Sequence, residues 1–142
     1  VRLPIENFGH GLHRVVYVSR MVDMSDEQLK REAAEIANAA RLNAAHARTG
    51  LLLAHEGFFI QALEGSYDAL AAVMDEIAAD PRHRDIKIVG VEPIAERAFG
   101  RWSMRGSASK SNSGFDPYAM TLADLMGLLR VAAVTGGRTR AA

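Results

Sequence analysis

Two polar side chains stand where an apolar strand face is expected. Gln61 lies in Phe58-Phe59-Ile60-Gln61-Ala62-Leu63-Glu64-Gly65, and Tyr17 lies in His13-Arg14-Val15-Val16-Tyr17-Val18-Ser19. Strand alternation places Gln61 on a face with Phe59 and Leu63, and Tyr17 on a face with Val15 and Ser19. A primary amide carries two donors and an acceptor, and a phenol both donates and accepts. Leaving either unsatisfied among apolar groups is costly. They can pair with each other or with backbone, as buried polar groups commonly do, or meet a ligand with hydrogen-bonding edges.

The elements that must position them can be read in order. After a strand at about 12–20 comes Ser25-Asp26-Glu27-Gln28, which has capping-box spacing and acidic residues in the first helical turn. Leu29, Ala33, Ile36, Ala37, Ala40 and Ala44 then recur at helical spacing, a buried face lined with small residues that leaves room for something flat or simply packs tightly. Leu51–Ala54 and Phe58–Glu64 form a hairpin through Glu56-Gly57. A second helix opens at Gly65-Ser66, buries Tyr67, Leu70, Val73, Met74 and Ile77, and stops at Asp80-Pro81. Strands follow at Asp85–Val91 and at about 98–105 through Phe99, Trp102 and Met104. This predicts an α+β, ferredoxin-like β-α-β-β-α-β-β sheet with both helices on one face. Leu122, Leu125, Met126, Leu129, Ala132 and Ala133 mark a C-terminal helix, and its stripe is expected on the opposite face. The expected organisation is a leader at 1–11, one domain at 12–105, a linker at 106–117 of flexible composition, a helical extension at 118–135 and a tail at 136–142.

Composition excludes several classes. The 142 residues suit one domain that buries about 68–70% of its unfolded surface. Seventeen basic against seventeen acidic residues give no electrostatic reason for nucleic acid or anionic membrane binding. Without cysteine there is no disulfide or thiol nucleophile, which fits a cytoplasmic protein. No apolar stretch reaches the ~18 residues of a membrane span. The five histidines form no metal-ligand spacing, and His10 and His13 are expected in the leader.

With Asn43 near the end of the first helix and the pair Trp102 and Met104 added, the chain resembles the BLUF family of blue-light sensors that use flavin. The residues carrying the resemblance are Val16-Tyr17-Val18-Ser19, Asn43 seven positions before Gly50, Phe59–Gly65, Asp80-Pro81-Arg82-His83, Pro93-Ile94 and Arg97–Met104. They occur in family order across 12 to 105, with Leu42 where some relatives carry a second polar residue. The resemblance implies an oxidised flavin between the two helices, FAD in the usual case, with FMN or riboflavin as alternatives. Asn43 and Gln61 would hold its ring, and Arg82 and His83 would touch its polar parts. Tyr17 and Gln61 would be the photochemical switch, and Ser19, Trp102 and Met104 the signal relay. The residues after 105 are too few for a cyclase or phosphodiesterase, so the expectation is a short stand-alone sensor rather than an enzyme, a homo-oligomer that signals through a separate effector protein. No direct nucleic-acid contact is expected.

Two other classes share the fold. An acylphosphatase-like hydrolase would need Arg20 and Asn43 around a phosphate-cradling loop, but Arg20–Ser25 has no glycine to let backbone amides converge. A flavin-free interaction module would leave Tyr17, Asn43 and Gln61 together around an empty pocket, at a cost.

Overall fold

The computed structural model describes residues 11–32, 49–110 and 113–135. Strand β1 (Leu12–Met21), helix α1 (described over 26–32), β2 (Thr49–His55), β3 (Phe58–Ser66), α2 (Tyr67–Ala78), β4 (His83–Pro93), β5 (Ser103–Gly106) and α3 (Leu122–Thr135) follow one another. The strands form a five-stranded sheet in the order β4-β1-β3-β2-β5. The first four pair antiparallel, and β5 joins β2 in parallel. The expected ferredoxin-like α+β sheet with an added strand is what the chain forms.

Local chemistry explains the boundaries. Ser25 and Gln28 close a capping box, each backbone amide reaching the other's side-chain oxygen at 3.0 Å. Ser66 caps α2 by accepting from the Ala69 amide at 3.1 Å. Thr121 and Asp124 repeat the reciprocal arrangement at the start of α3, at 3.1 and 3.2 Å. The β2–β3 turn needs positive φ at both central residues; Glu56 has 55° and Gly57 89°.

Period-2 alternation sorts the sheet into two faces. Val15, Tyr17, Leu63 and Val91 pack with Leu70 and Met74 of α2. On the same face, Met21, Leu52, Ala54 and Phe59 pack with Leu29 of α1. On the other face, Val16, Val18, Leu51, Leu53, Ile60 and Ala62 pack with Leu125, Met126 and Leu129 of α3. Leu125 and Leu129 are fully buried, each burial contributing about 1.5–3 kcal/mol. The C-terminal stripe and the bare sheet face therefore cover each other, as expected.

Three expectations change. The last strand begins at Ser103, not near 98, because the amides of Ala98 and Phe99 donate to the Glu64 carboxylate at 2.8 and 3.2 Å instead of to a neighbouring strand. His13 is no part of a leader: it lies in β1, 1% exposed, edge-on to Tyr67. The stretch after β5, flexible in composition, is anchored where described. Ala108 is buried and its amide donates to Asp26 at 2.7 Å, and Lys110 reaches Asp23 at 3.1 Å. Further on, the Arg20 guanidinium lies over the rings of Phe58 and Tyr118, at 5.2 and 5.1 Å, and clasps the approach to α3 onto the sheet.

Candidate functional site

β1 and β3 pair so that Tyr17 stands directly opposite Gln61, and β2 places Leu52 on Gln61's other side. Gln61 thus occupies the seam between the α2-covered and α1-covered clusters. The Tyr17 hydroxyl donates to Gln61 Oε1 at 2.6 Å, with both residues buried. Burial, then the negative charge of Asp80, pushes the Tyr17 phenol far above its ordinary range, so it remains a neutral donor. With Oε1 occupied, the amide nitrogen of Gln61 is left with no hydrogen-bond partner among the described residues. A ligand carbonyl there would satisfy it, and a flavin ring offers one.

His83 closes the site beside Tyr17. Its Nε2 lies 2.6 Å from the Ile77 carbonyl in the last turn of α2, so that nitrogen carries the proton. In the neutral ring Nδ1 is then an acceptor, and the Ser19 hydroxyl donates to it at 2.8 Å. The His83 ring lies edge-on to both Tyr17 and Phe59, with centroids 6.2 and 6.1 Å apart. Ser19, His83, Tyr17 and Gln61 are therefore one polar cluster within an apolar face. Its lining of aromatic and aliphatic groups with a few convergent polar ones has the character of a cofactor site.

Arg82, expected at the cofactor, is bound to Asp80 through two nitrogens and to Glu32 of α1 at 3.0 Å. It ties the end of α2 to α1. The Asp80 carboxylate raises the Arg82 pKa further, and Arg82 bonding holds the Asp80 pKa below its usual value despite burial. Trp102 packs against both clusters of the Tyr17 face, and Met104 against the α1-side cluster. They face the same way, although Trp102 precedes the strand. Asn43 lies outside the described residues, and so does most of the small-residue face of the first helix.

One polar centre was not singled out from sequence. Glu64 is fully buried and faces away from Gln61, with Ala62 and Ile60. It accepts from Arg14 Nε and Nη2, both at 3.2 Å, and from the Thr49 hydroxyl at 2.7 Å, besides the Ala98 and Phe99 amides. Arg14 also reaches Glu92 at 3.0 Å. The signal was present: Arg14 and Glu64 are in phase with the inward-facing Val16 and Ala62, and a charge on such a face must be paired.

Among the described residues no group of acidic, cysteine or histidine side chains could hold a metal ion, and no helix is long and apolar enough to cross a membrane.

Residues 12–105 match the profile of the family described as "BLUF: Sensors of blue-light using FAD". The chain is 38% identical over 88 residues to photoactivated adenylate cyclase subunit beta of Euglena longa, covering 61% of this chain and 10% of that protein. It is 33% identical over 116 residues to a beta-like protein, FB, of Euglena gracilis, covering 80% and 13%. The chain thus spans roughly a tenth of the length of these curated relatives. Among solved structures, the dark state of BlrB, a BLUF protein, is 32% identical with a TM-score of 0.63, over 89% of this chain and 94% of that one. The photo-activated state of BlsA is 25% identical with a TM-score of 0.71, over 87% and 96%.

Proposed function

This chain belongs to the BLUF family, sensors of blue light using FAD, and from that membership we propose that Tyr17 and Gln61 are its photochemical switch. The matched segment is a flavin-binding blue-light photoreceptor. The observation that carries the residue assignment is the 2.6 Å hydrogen bond from the Tyr17 hydroxyl to Gln61 Oε1, both side chains buried on the same sheet face.

We take the flavin to be FAD. Gln61 and Asn43 hold its ring, His83 borders it beside Tyr17, and Arg82 shapes the site's end through Asp80 and Glu32. Oxidised flavin supplies blue absorption and an excited state that draws an electron. Tyr17 would give that electron, and among the described residues its hydroxyl donates to one acceptor, Gln61 Oε1. Gln61 would pass the proton on; electron and proton would then both return to Tyr17, leaving the flavin oxidised and Gln61 rotated or tautomerised. Its altered hydrogen bond would then strengthen the contact to a flavin carbonyl and move the absorption to the red. Ser19, Trp102 and Met104 relay the new arrangement, and α3 on the far face transmits it by a change in packing. The cyclases among the relatives support an effector protein as the receiver. Self-association and a cytoplasmic location belong to the same proposal.

The test is spectroscopic. Purified with FAD, the protein should be yellow, and its blue band should move to the red under illumination without bleaching. Gln61→Leu should keep the flavin and its fluorescence and lose the shift. A preparation that stays colourless with FAD, FMN and riboflavin alike would overturn the assignment. A Gln61→Leu variant with a wild-type shift would move the switch elsewhere.

A further inference from the structure

Glu64 and Phe99 sit where the two faces of the sheet are joined by a single short piece of chain. Phe99 is 7% exposed and belongs to the α3-side cluster with Leu125, Met126 and Leu129. Three residues later, Trp102 packs on the opposite side, against the clusters of Tyr17 and of Leu52 and Phe59. Residues 99–102 therefore cross the sheet's β2–β5 end from one core to the other.

The two ends of this crossing are held differently. At Phe99, the buried Glu64 carboxylate accepts the amides of Ala98 and Phe99 at 2.8 and 3.2 Å, while Arg14 and Thr49 hold the carboxylate itself. Arg97 adds bonds to the Thr49 hydroxyl at 2.8 Å and to the Glu64 carbonyl at 3.2 Å. These charge-assisted bonds in a buried site make a stiff anchor. Beyond it, among the described residues, the Gly100 carbonyl accepts from the Gly50 amide at 3.4 Å within the Thr49–Arg101 bridge, and Ser103, next to Trp102, enters the β2 ladder opposite Leu51. Trp102 itself is half-buried. The crossing thus joins Phe99, in the α3-side core, to Trp102 and the strand that carries Met104, with the buried Glu64 carboxylate as its charged hold.

We propose that Phe99 is the residue that carries a displacement of Trp102 across the sheet to α3, and that Glu64 is the positioning residue on which this segment pivots. The proposal rests on the reading of Trp102 as a relay of the Tyr17–Gln61 switch. Neither Phe99 nor Glu64 touches the face where the flavin is assigned. Each can therefore be changed without altering the groups of the switch.

The experiment is amide hydrogen exchange on the full flavin-loaded chain, in darkness and under blue light, with the absorption shift recorded on the same samples. Wild type should show the red shift and a light–dark difference in exchange at α3. Phe99→Leu should keep the red shift and lose that difference. Glu64→Gln should speed exchange of the Ala98 and Phe99 amides already in darkness, because an amide in that place cannot accept both. If Glu64→Gln does not fold, Phe99→Leu decides alone. The proposal is overturned if Phe99→Leu raises α3 exchange equally in light and dark with the difference retained, which is what a packing role alone would do. It is also overturned if Ala98 and Phe99 keep wild-type protection in a folded Glu64→Gln. A wild type with a red shift but no α3 response overturns the pivot and leaves the switch standing. A wild type with no red shift removes the switch, and the pivot with it.

Discussion

Replacing Tyr17 by phenylalanine removes one oxygen and nothing else. The ring stays in place against Leu63, Leu70 and Met74, and edge-on to His83, so the cavity cost of a Tyr→Ala change does not arise. What is lost is the 2.6 Å bond to Gln61 Oε1. That oxygen is left without its donor on a residue only 4% exposed, and an unsatisfied buried acceptor costs about 1–3 kcal/mol. For a chain of this size the melting temperature should fall by roughly 4–12 °C, taking about 4 °C per kcal/mol. Flavin retention should stay near wild type, because none of the groups assigned to hold the ring is removed. The photochemical consequence is of another order: the phenol removed is both the proposed electron donor and the hydroxyl that donates to Gln61 Oε1. Light-minus-dark difference spectra of wild type and Tyr17→Phe, beside thermal melts of both, separate the two effects. A variant with the modest melting loss and no red-shifted product fits the argument. A normal red shift would remove Tyr17 from the mechanism, whatever the melt showed.

Asn43→Ala should weaken flavin binding without abolishing the red shift of the fraction that remains bound. At ~1–3 kcal/mol for an unpartnered polar ring edge, Kd should rise about 5- to 150-fold, and full occupancy after extensive dilution would count against the role. The pH dependence follows from Tyr17, whose phenol burial has pushed far up. The folded state binds this proton more tightly than the unfolded one, so its contribution to stability is intact below the ordinary phenol range near pH 10 and declines as pH rises toward the folded value. The amplitude of the red shift should therefore stay level from pH 7 to about 10.5, while resistance to urea falls above about pH 10. An amplitude that titrates away near pH 10 would mean that Tyr17 ionises like an exposed phenol.

Much of this protein is legible in its residue types and their spacing. Period-2 alternation put Tyr17 and Gln61 on apolar strand faces, the caps at Ser25, Ser66 and Thr121 marked three helix starts, and the stripe from Leu122 to Ala133 called for a sheet to cover. These are local or periodic signals, carried by neighbours in the chain, so residue types and spacing suffice. Register is different in kind. That Tyr17 stands opposite Gln61 depends on how β1 and β3 slide past each other, which the whole sheet and its two covers determine together. For the same reason His83 proved to be the partner of Ser19, and Arg82 was found on Asp80 and Glu32. The late start of β5 had a tertiary cause as well: the Glu64 carboxylate, 34 residues away in sequence, takes the Ala98 amide that a longer strand would have used. Alternation says which face a side chain takes; only the packed sheet decides which side chain it meets there.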